Sequence, residues 1–271
     1  MTTRTNLLGR ILASKRAEVA RLMAGPRPHT HHRPEGLSFQ TLRRPLGEPL
    51  RLIAEVKPRS PSAGPLSSVM TADERACAYA SAGAVMISVL VDEPFFGGSY
   101  ENLAACRETL DDVYGASRPR LLCKEFILDP VQLDYAVAAG ADAVLLIARI
   151  VTPEELGALV VQTRNRGLEA LVEVTTEDEL RAAEGAGARV IGVNARDLDT
   201  LAMDQARAAA VLARIEGNAV RVHLSGLATA EDVARIARGP ADAALIGEAL
   251  MRQDDPTELL SEMVRRAADK R

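Results

Sequence analysis

From residue 50 onward, apolar runs of strand length alternate with longer amphipathic stretches, and few folds accommodate that alternation. Runs of four to eight apolar residues separated by helical periodicity are the mark of parallel βα units, in which each strand is buried on both faces. The predicted strands cover 51–57, 84–91, 120–124, 142–148, 169–174, 189–194, 220–224 and 242–246. Thr71, Thr152-Pro153 and Thr229 stand where helix N-caps are expected. A weak repeat supports the count: Gly83, Gly140, Gly187 and Gly239 each join the tail of a helical stretch to a strand. Eight units in about 220 residues match a (β/α)8 TIM barrel. An open doubly wound sheet would carry a GxGxxG turn after its first strand, and none is present. The expected organisation is one domain over 1–271. Residues 1–49 form an extension in which an amphipathic N-terminal helix over the first 24 residues leads into a Pro/His/Arg-rich connector.

Composition removes several classes of function. With 33 basic against 37 acidic residues the net charge is −4, which offers no general attraction to nucleic acid or to an anionic membrane. The first 24 residues contain no apolar run near 18, so neither a signal peptide nor a membrane span is expected there. Cys77, Cys106 and Cys123 are isolated and odd in number, which fits a reducing, cytoplasmic setting and small core residues rather than disulfides or zinc. His29, His31 and His32 lie in the connector without a fourth ligand, so no metal is expected. His223 reads as a strand residue. The expected assembly is a monomer or a small homo-oligomer.

Only four of the 33 basic residues are lysines: Lys15, Lys57, Lys124 and Lys270. A chain that uses arginine wherever it merely wants charge needs a reason to keep a lysine in an interior segment. In a (β/α)8 barrel the working groups sit at the C-terminal ends of strands. Glu55 and Lys57 end the first strand two residues apart and therefore project to one side, with Ile53, toward the barrel mouth. Lys124 ends the third strand, Glu173 lies on the fifth, and Asn194 ends the sixth with Arg196 two residues on. This is a set for acid–base chemistry, because burial can pull a lysine toward neutrality and an arginine stays charged. Ser225-Gly226 after the seventh strand, Gly247-Glu248 after the eighth, and the 60–64 segment after the first form three loops suited to an anion such as phosphate.

Several motifs, in chain order, carry a resemblance. They are EVKPRSPSAG from Glu55, FGGS from Phe96, KEFI from Lys124, GADAVLLI from Gly140, LVEV from Leu171, GVNARDL from Gly192, SG at Ser225 and IGEALM from Ile246. Together they resemble the indole-3-glycerol phosphate synthase family. The resemblance implies a cofactor-free carboxy-lyase of tryptophan biosynthesis. Such an enzyme closes the ring of 1-(2-carboxyphenylamino)-1-deoxyribulose 5-phosphate with loss of carbon dioxide and water. It further implies Lys124 as general acid for ring closure and Glu173 as acid or base of the dehydration. Glu55 and Lys57 would orient the sugar chain, and Asn194 and Arg196 would hold substrate carboxylate or hydroxyls. Ser60, Ser225, Gly226, Gly247 and Glu248 are implied at the phosphate, with Phe96, Phe126, Leu145, Leu198 and Leu245 around the aryl ring.

The departures from the family pattern are Leu224 where a Glu precedes Ser-Gly, Val91 for Thr, Glu125 for Asp and Thr175 for His. Leu224 falls within the implied substrate-binding set. It keeps two further readings open: a paralogue acting on a related aryl-amino sugar phosphate, and a non-catalytic ligand-binding barrel. A phosphate-binding isomerase barrel is set aside because no Asp or Cys pair occupies opposing strand ends.

Overall fold

The computed structural model describes residues 7–28, 42–61, 64–197 and 200–268. Eight parallel strands form the barrel: β1 Arg51–Val56, β2 Met86–Leu90, β3 Arg120–Lys124, β4 Ala143–Ile147, β5 Glu169–Val174, β6 Val190–Asn194, β7 Val220–Leu224 and β8 Ala243–Ile246. Each pairs with its neighbours in sequence, and β1 closes the ring by pairing with both β2 and β8. Every expected strand is present. The expected ends run past the observed ones by one or two residues on some strands, since flanking apolar residues such as Ala84 and Val91 are buried without joining the ladder.

Strand alternation sets up two cores. On β1, Leu52, Ala54 and Val56 face the helical layer, where they join Tyr79 and Leu103, whereas Ile53 faces the barrel interior with Met86, Leu122 and Leu171. Glu55 shares the parity of Ile53 and so points inward, at the strand's C-terminal end. The crossover helices start where the sequence places them. Thr71, Thr152 and Thr229 each accept from the N–H three residues on, and Glu74, Glu155 and Asp232 bond back, closing three capping boxes. Each such cap is worth about 1 kcal/mol. Cys106 and Cys123 are buried, Cys77 is partly so, and all three are free thiols.

Before the barrel comes α1, Leu7–Ala24, which buries Leu8, Ile11 and Lys15. Leu8 and Ile11 belong to the barrel-interior cluster that contains Phe126 and Leu145, so this helix packs over the C-terminal mouth. The connector histidines, His29, His31 and His32, lie outside the described residues. After β1 the chain makes a small antiparallel pairing of Arg59–Ser60 with Gly64–Pro65, which folds the loop bearing Ser60 over the same mouth. Among the described residues no helix is long and apolar enough to cross a membrane.

Candidate active site

A cavity of about 540 Å³ opens at the C-terminal ends of the strands. Glu55 lies at its base, 2% exposed, with Lys57 Nζ 2.8 Å from Oε1 and Lys124 Nζ 2.8 Å from Oε2. One carboxylate thus holds two ammonium groups, one from its own strand end and one from two strands away. Burial pushes the Glu55 carboxyl up, but the charges of Lys124 and Lys57 outweigh burial and hold it at about 2.

Lys124 departs from the expectation that burial would bring its pKa toward neutrality. Burial does pull it down, yet the carboxylates of Glu55 and Glu173 more than compensate, and the group sits above the ordinary lysine value. It therefore remains an ammonium and a reserve of one proton. Glu173 shows the opposite balance. Its burial outweighs the pull of Lys124 and of the Asn194 hydrogen bond, leaving its pKa raised, so it binds a proton more readily than an ordinary glutamate. Asn194 Nδ2 donates to Glu173 Oε1 at 2.8 Å, and Asn194 Oδ1 accepts from the Arg196 N–H at 2.9 Å. That pair of bonds fixes the amide of Asn194 and with it the carboxylate of Glu173. The Arg196 guanidinium donates to the Leu201 carbonyl at 3.4 Å and borders the cavity.

Ser60, Ser225, Gly226, Gly247 and Glu248 border the cavity, and the Glu248 carboxylate is paired with Arg252 at 2.7 Å. Gly247 has a second reason to be glycine. A Cβ there would stand 2.4 Å from Glu55 Oε1, so any side chain at 247 would displace the carboxylate that holds both lysines. The cavity also has an apolar lining, with Phe96 and Phe126 ring centroids 6.0 Å apart and Leu145 and Leu245 bordering it too.

Two of the expected binding residues stand apart from this set. Leu198 lies outside the described residues. Leu224, 1% exposed, is not among the residues that border the cavity and belongs instead to the apolar filling of the barrel. It shares the inward parity of Val222, and Gly192 on the neighbouring strand gives it room. A Cβ there would sit 2.6 Å from Leu224 Cδ1 and 2.8 Å from Leu171 Cδ2, so the two leucines close over the space that a side chain at 192 would take.

The sequence reading missed the contribution of α1. Leu8 and Ile11 extend the apolar lining. Lys15, fully buried, reaches Glu18 at 2.8 Å, Glu125 at 2.9 Å and Asp92 at 3.1 Å, pinning the helix to the loop after β2 and to the residue that follows Lys124. Burial raises the Glu125 carboxyl to about 7, with Lys15 pulling it down and Asp92 and Glu18 pushing it up. The signal was available: Lys15 is one of only four lysines, and the argument applied to Lys57 and Lys124 extends to it.

Paired lysines and carboxylates at the C-terminal rim, beside an apolar wall and polar loops, define a (β/α)8-barrel enzyme equipped for proton transfer on a small molecule. A solved barrel of this architecture is 3-hexulose-6-phosphate synthase from Salmonella typhimurium, with a TM-score of 0.60 at 15% identity, covering 80% of this chain and 98% of that one. It shares the fold. The family model described as indole-3-glycerol phosphate synthase matches residues 8–263. Proteins of that name from Roseiflexus sp. (strain RS-1) and Listeria monocytogenes are 43% and 41% identical. The matches span 95% of this chain and 97% of the first relative, and 92% of this chain and 94% of the second. The chain belongs to the indole-3-glycerol phosphate synthase family.

Proposed function

We propose that this chain converts 1-(2-carboxyphenylamino)-1-deoxyribulose 5-phosphate into indole-3-glycerol phosphate, carbon dioxide and water, as a carboxy-lyase working in the cytoplasm. The observation that carries the reading is the Lys57–Glu55–Lys124 bridge facing the hydrogen-bonded Glu173–Asn194 pair across one cavity, in a chain of this family. Ring closure requires a proton for the ketone oxygen as the aryl carbon attacks it. Lys124, kept charged by Glu55 and Glu173, supplies that proton. Loss of carbon dioxide restores the aromatic ring. Dehydration then needs a group that gives or takes a proton, and Glu173, with its raised pKa, serves there. Lys57 and Glu55 orient the sugar chain, and Asn194 and Arg196 hold the substrate's polar groups. The phosphate lies among Ser60, Ser225, Gly226, Gly247 and Glu248, and the aryl ring lies against Phe96, Phe126, Leu145 and Leu245.

The test is a fluorescence assay for indole-3-glycerol phosphate formation on the purified chain and on Lys124→Met. The parent should turn over, and the variant should lose about 100- to 10,000-fold in kcat with its fold intact by circular dichroism. Binding of a reduced, non-cyclising substrate analogue without any turnover by the parent would instead support a ligand-binding barrel. A variant retaining half the parental kcat would remove Lys124 from the role of acid.

A further inference from the structure

His223 is fully sequestered, and the site described so far does not use it. It lies on β7 between Val222 and Leu224, which both fill the barrel interior, so alternation turns its ring toward the helical layer. Its Nε2 is 3.1 Å from the carbonyl oxygen of Ser225. A carbonyl only accepts, so Nε2 carries the hydrogen, and Nδ1 is left as a buried lone pair with no hydrogen-bond partner. Burial keeps the ring neutral, with its pKa down at about 4, so this donor is present throughout the physiological range.

The carbonyl that His223 holds belongs to an unusual turn. Ser225 has φ +70° and Gly226 φ +80°, two successive left-handed residues, and Ser225 is one of only two non-glycine residues with positive φ among the described residues. In a trans peptide the C=O and the following N–H point in opposite directions. Holding the Ser225 carbonyl on the helical side therefore aims the Gly226 N–H to the other side, where Ser225 and Gly226 border the cavity. We infer that His223 is a positioning residue for anion binding: it locks the Ser225–Gly226 peptide in the orientation that presents the Gly226 N–H to the substrate's phosphate. The inference rests on the reading above that this turn meets the phosphate.

The experiment measures the competitive Ki of inorganic phosphate, together with substrate KM and kcat, on the full chain. His223→Leu removes the donor. His223→Gln keeps an N–H at the distance of Nε2, whereas His223→Asn carries one too short to reach. Loss of one hydrogen bond should raise Ki and KM roughly 3- to 10-fold in the Leu and Asn variants, with the change falling on KM and not on kcat, and Gln should restore most of it. If the Leu variant does not fold, the contrast between Asn and Gln carries the same test. Ser225→Asp, which a left-handed φ tolerates, places a negative charge in the turn and tests the phosphate reading itself. Loss of phosphate inhibition in Ser225→Asp with Ki unchanged in the Leu and Asn variants would overturn the role of His223 and leave the turn as the phosphate site. An unchanged Ki in Ser225→Asp would overturn both.

Discussion

Replacing Glu55 with glutamine removes the one charge that Lys57 and Lys124 share and changes little else in size. The structure gives the magnitude. The Glu55 carboxyl is held at about 2 against an ordinary 4.5, and at 1.36 kcal/mol per pKa unit the ionised form stabilises the fold by about 3 kcal/mol. The folded-state pKa is depressed, so this contribution is complete above pH 4.5 and disappears as pH falls toward 2. Glu55→Gln should therefore cost about 3 kcal/mol in urea unfolding at pH 7, and the gap from the parent should narrow below pH 4.5. Urea is preferred to guanidinium because it leaves ionic strength unchanged. The kinetic consequence is separate. Glu55 is the main force holding Lys124 above the ordinary lysine value, and without it burial prevails. The basic limb of the kcat profile should then move to lower pH, as Lys124 loses its proton earlier. An unmoved basic limb together with unchanged stability would refute the shared-carboxylate account.

Glu173→Gln should lower kcat more than it raises KM, and should erase an acid limb lying above the ordinary glutamate range, because the burial-raised pKa belongs to Glu173; pH profiles of both forms decide this. Lys15→Met leaves the carboxylates of Glu125, Asp92 and Glu18 without their shared cation and should cost about 3–5 kcal/mol in urea unfolding. Adding Glu125→Gln to that variant should recover part of the loss. Leu224→Ala should cost about 2–5 kcal/mol by opening a void against Leu171 and Gly192, with KM close to the parent's, since Leu224 packs in the barrel filling. A large rise in KM would return Leu224 to the binding set.

The parts of the fold that could be read from the chain are those governed by short-range rules. Strands buried on both faces show as apolar runs, and a threonine just before an amphipathic stretch marks a cap wherever the helix sits. The two-residue spacing of Glu55 and Lys57 was legible for the same reason. The bridge to Lys124 was not, because it depends on the distance across β2, which only the pairing of β1 and β3 on either side of β2 sets. Gly247 looked like a glycine serving an anion, and its nearest neighbour is the Glu55 carboxylate, 192 residues earlier in the chain. Leu224 looked like a rim residue by position. It shares the inward parity of Val222, and the missing side chain at Gly192 on the adjacent strand, which no pattern around 224 encodes, leaves it room to pack into the barrel filling. The placement of α1 was hidden likewise, since periodicity gives a helix an apolar face without saying what the face meets.

The distribution of lysine ties these observations together. All three lysines among the described residues meet carboxylates at or beside the mouth, two of them a single Glu55, while Glu173 is drawn toward its neutral form. No carboxylate stands at 224 to add to the balance. At the cavity, Glu55 and Glu173 balance Lys57 and Lys124, and Arg252 is paired with Glu248, so the excess positive charge bordering it comes from Arg196. Such a site favours a ligand with more than one anionic group, as the proposed substrate has in its carboxylate and phosphate. Decarboxylation removes one of those groups as a neutral molecule. The electrostatic attraction that draws the substrate in is then weaker for the product, so the same charge imbalance that assists binding also assists release.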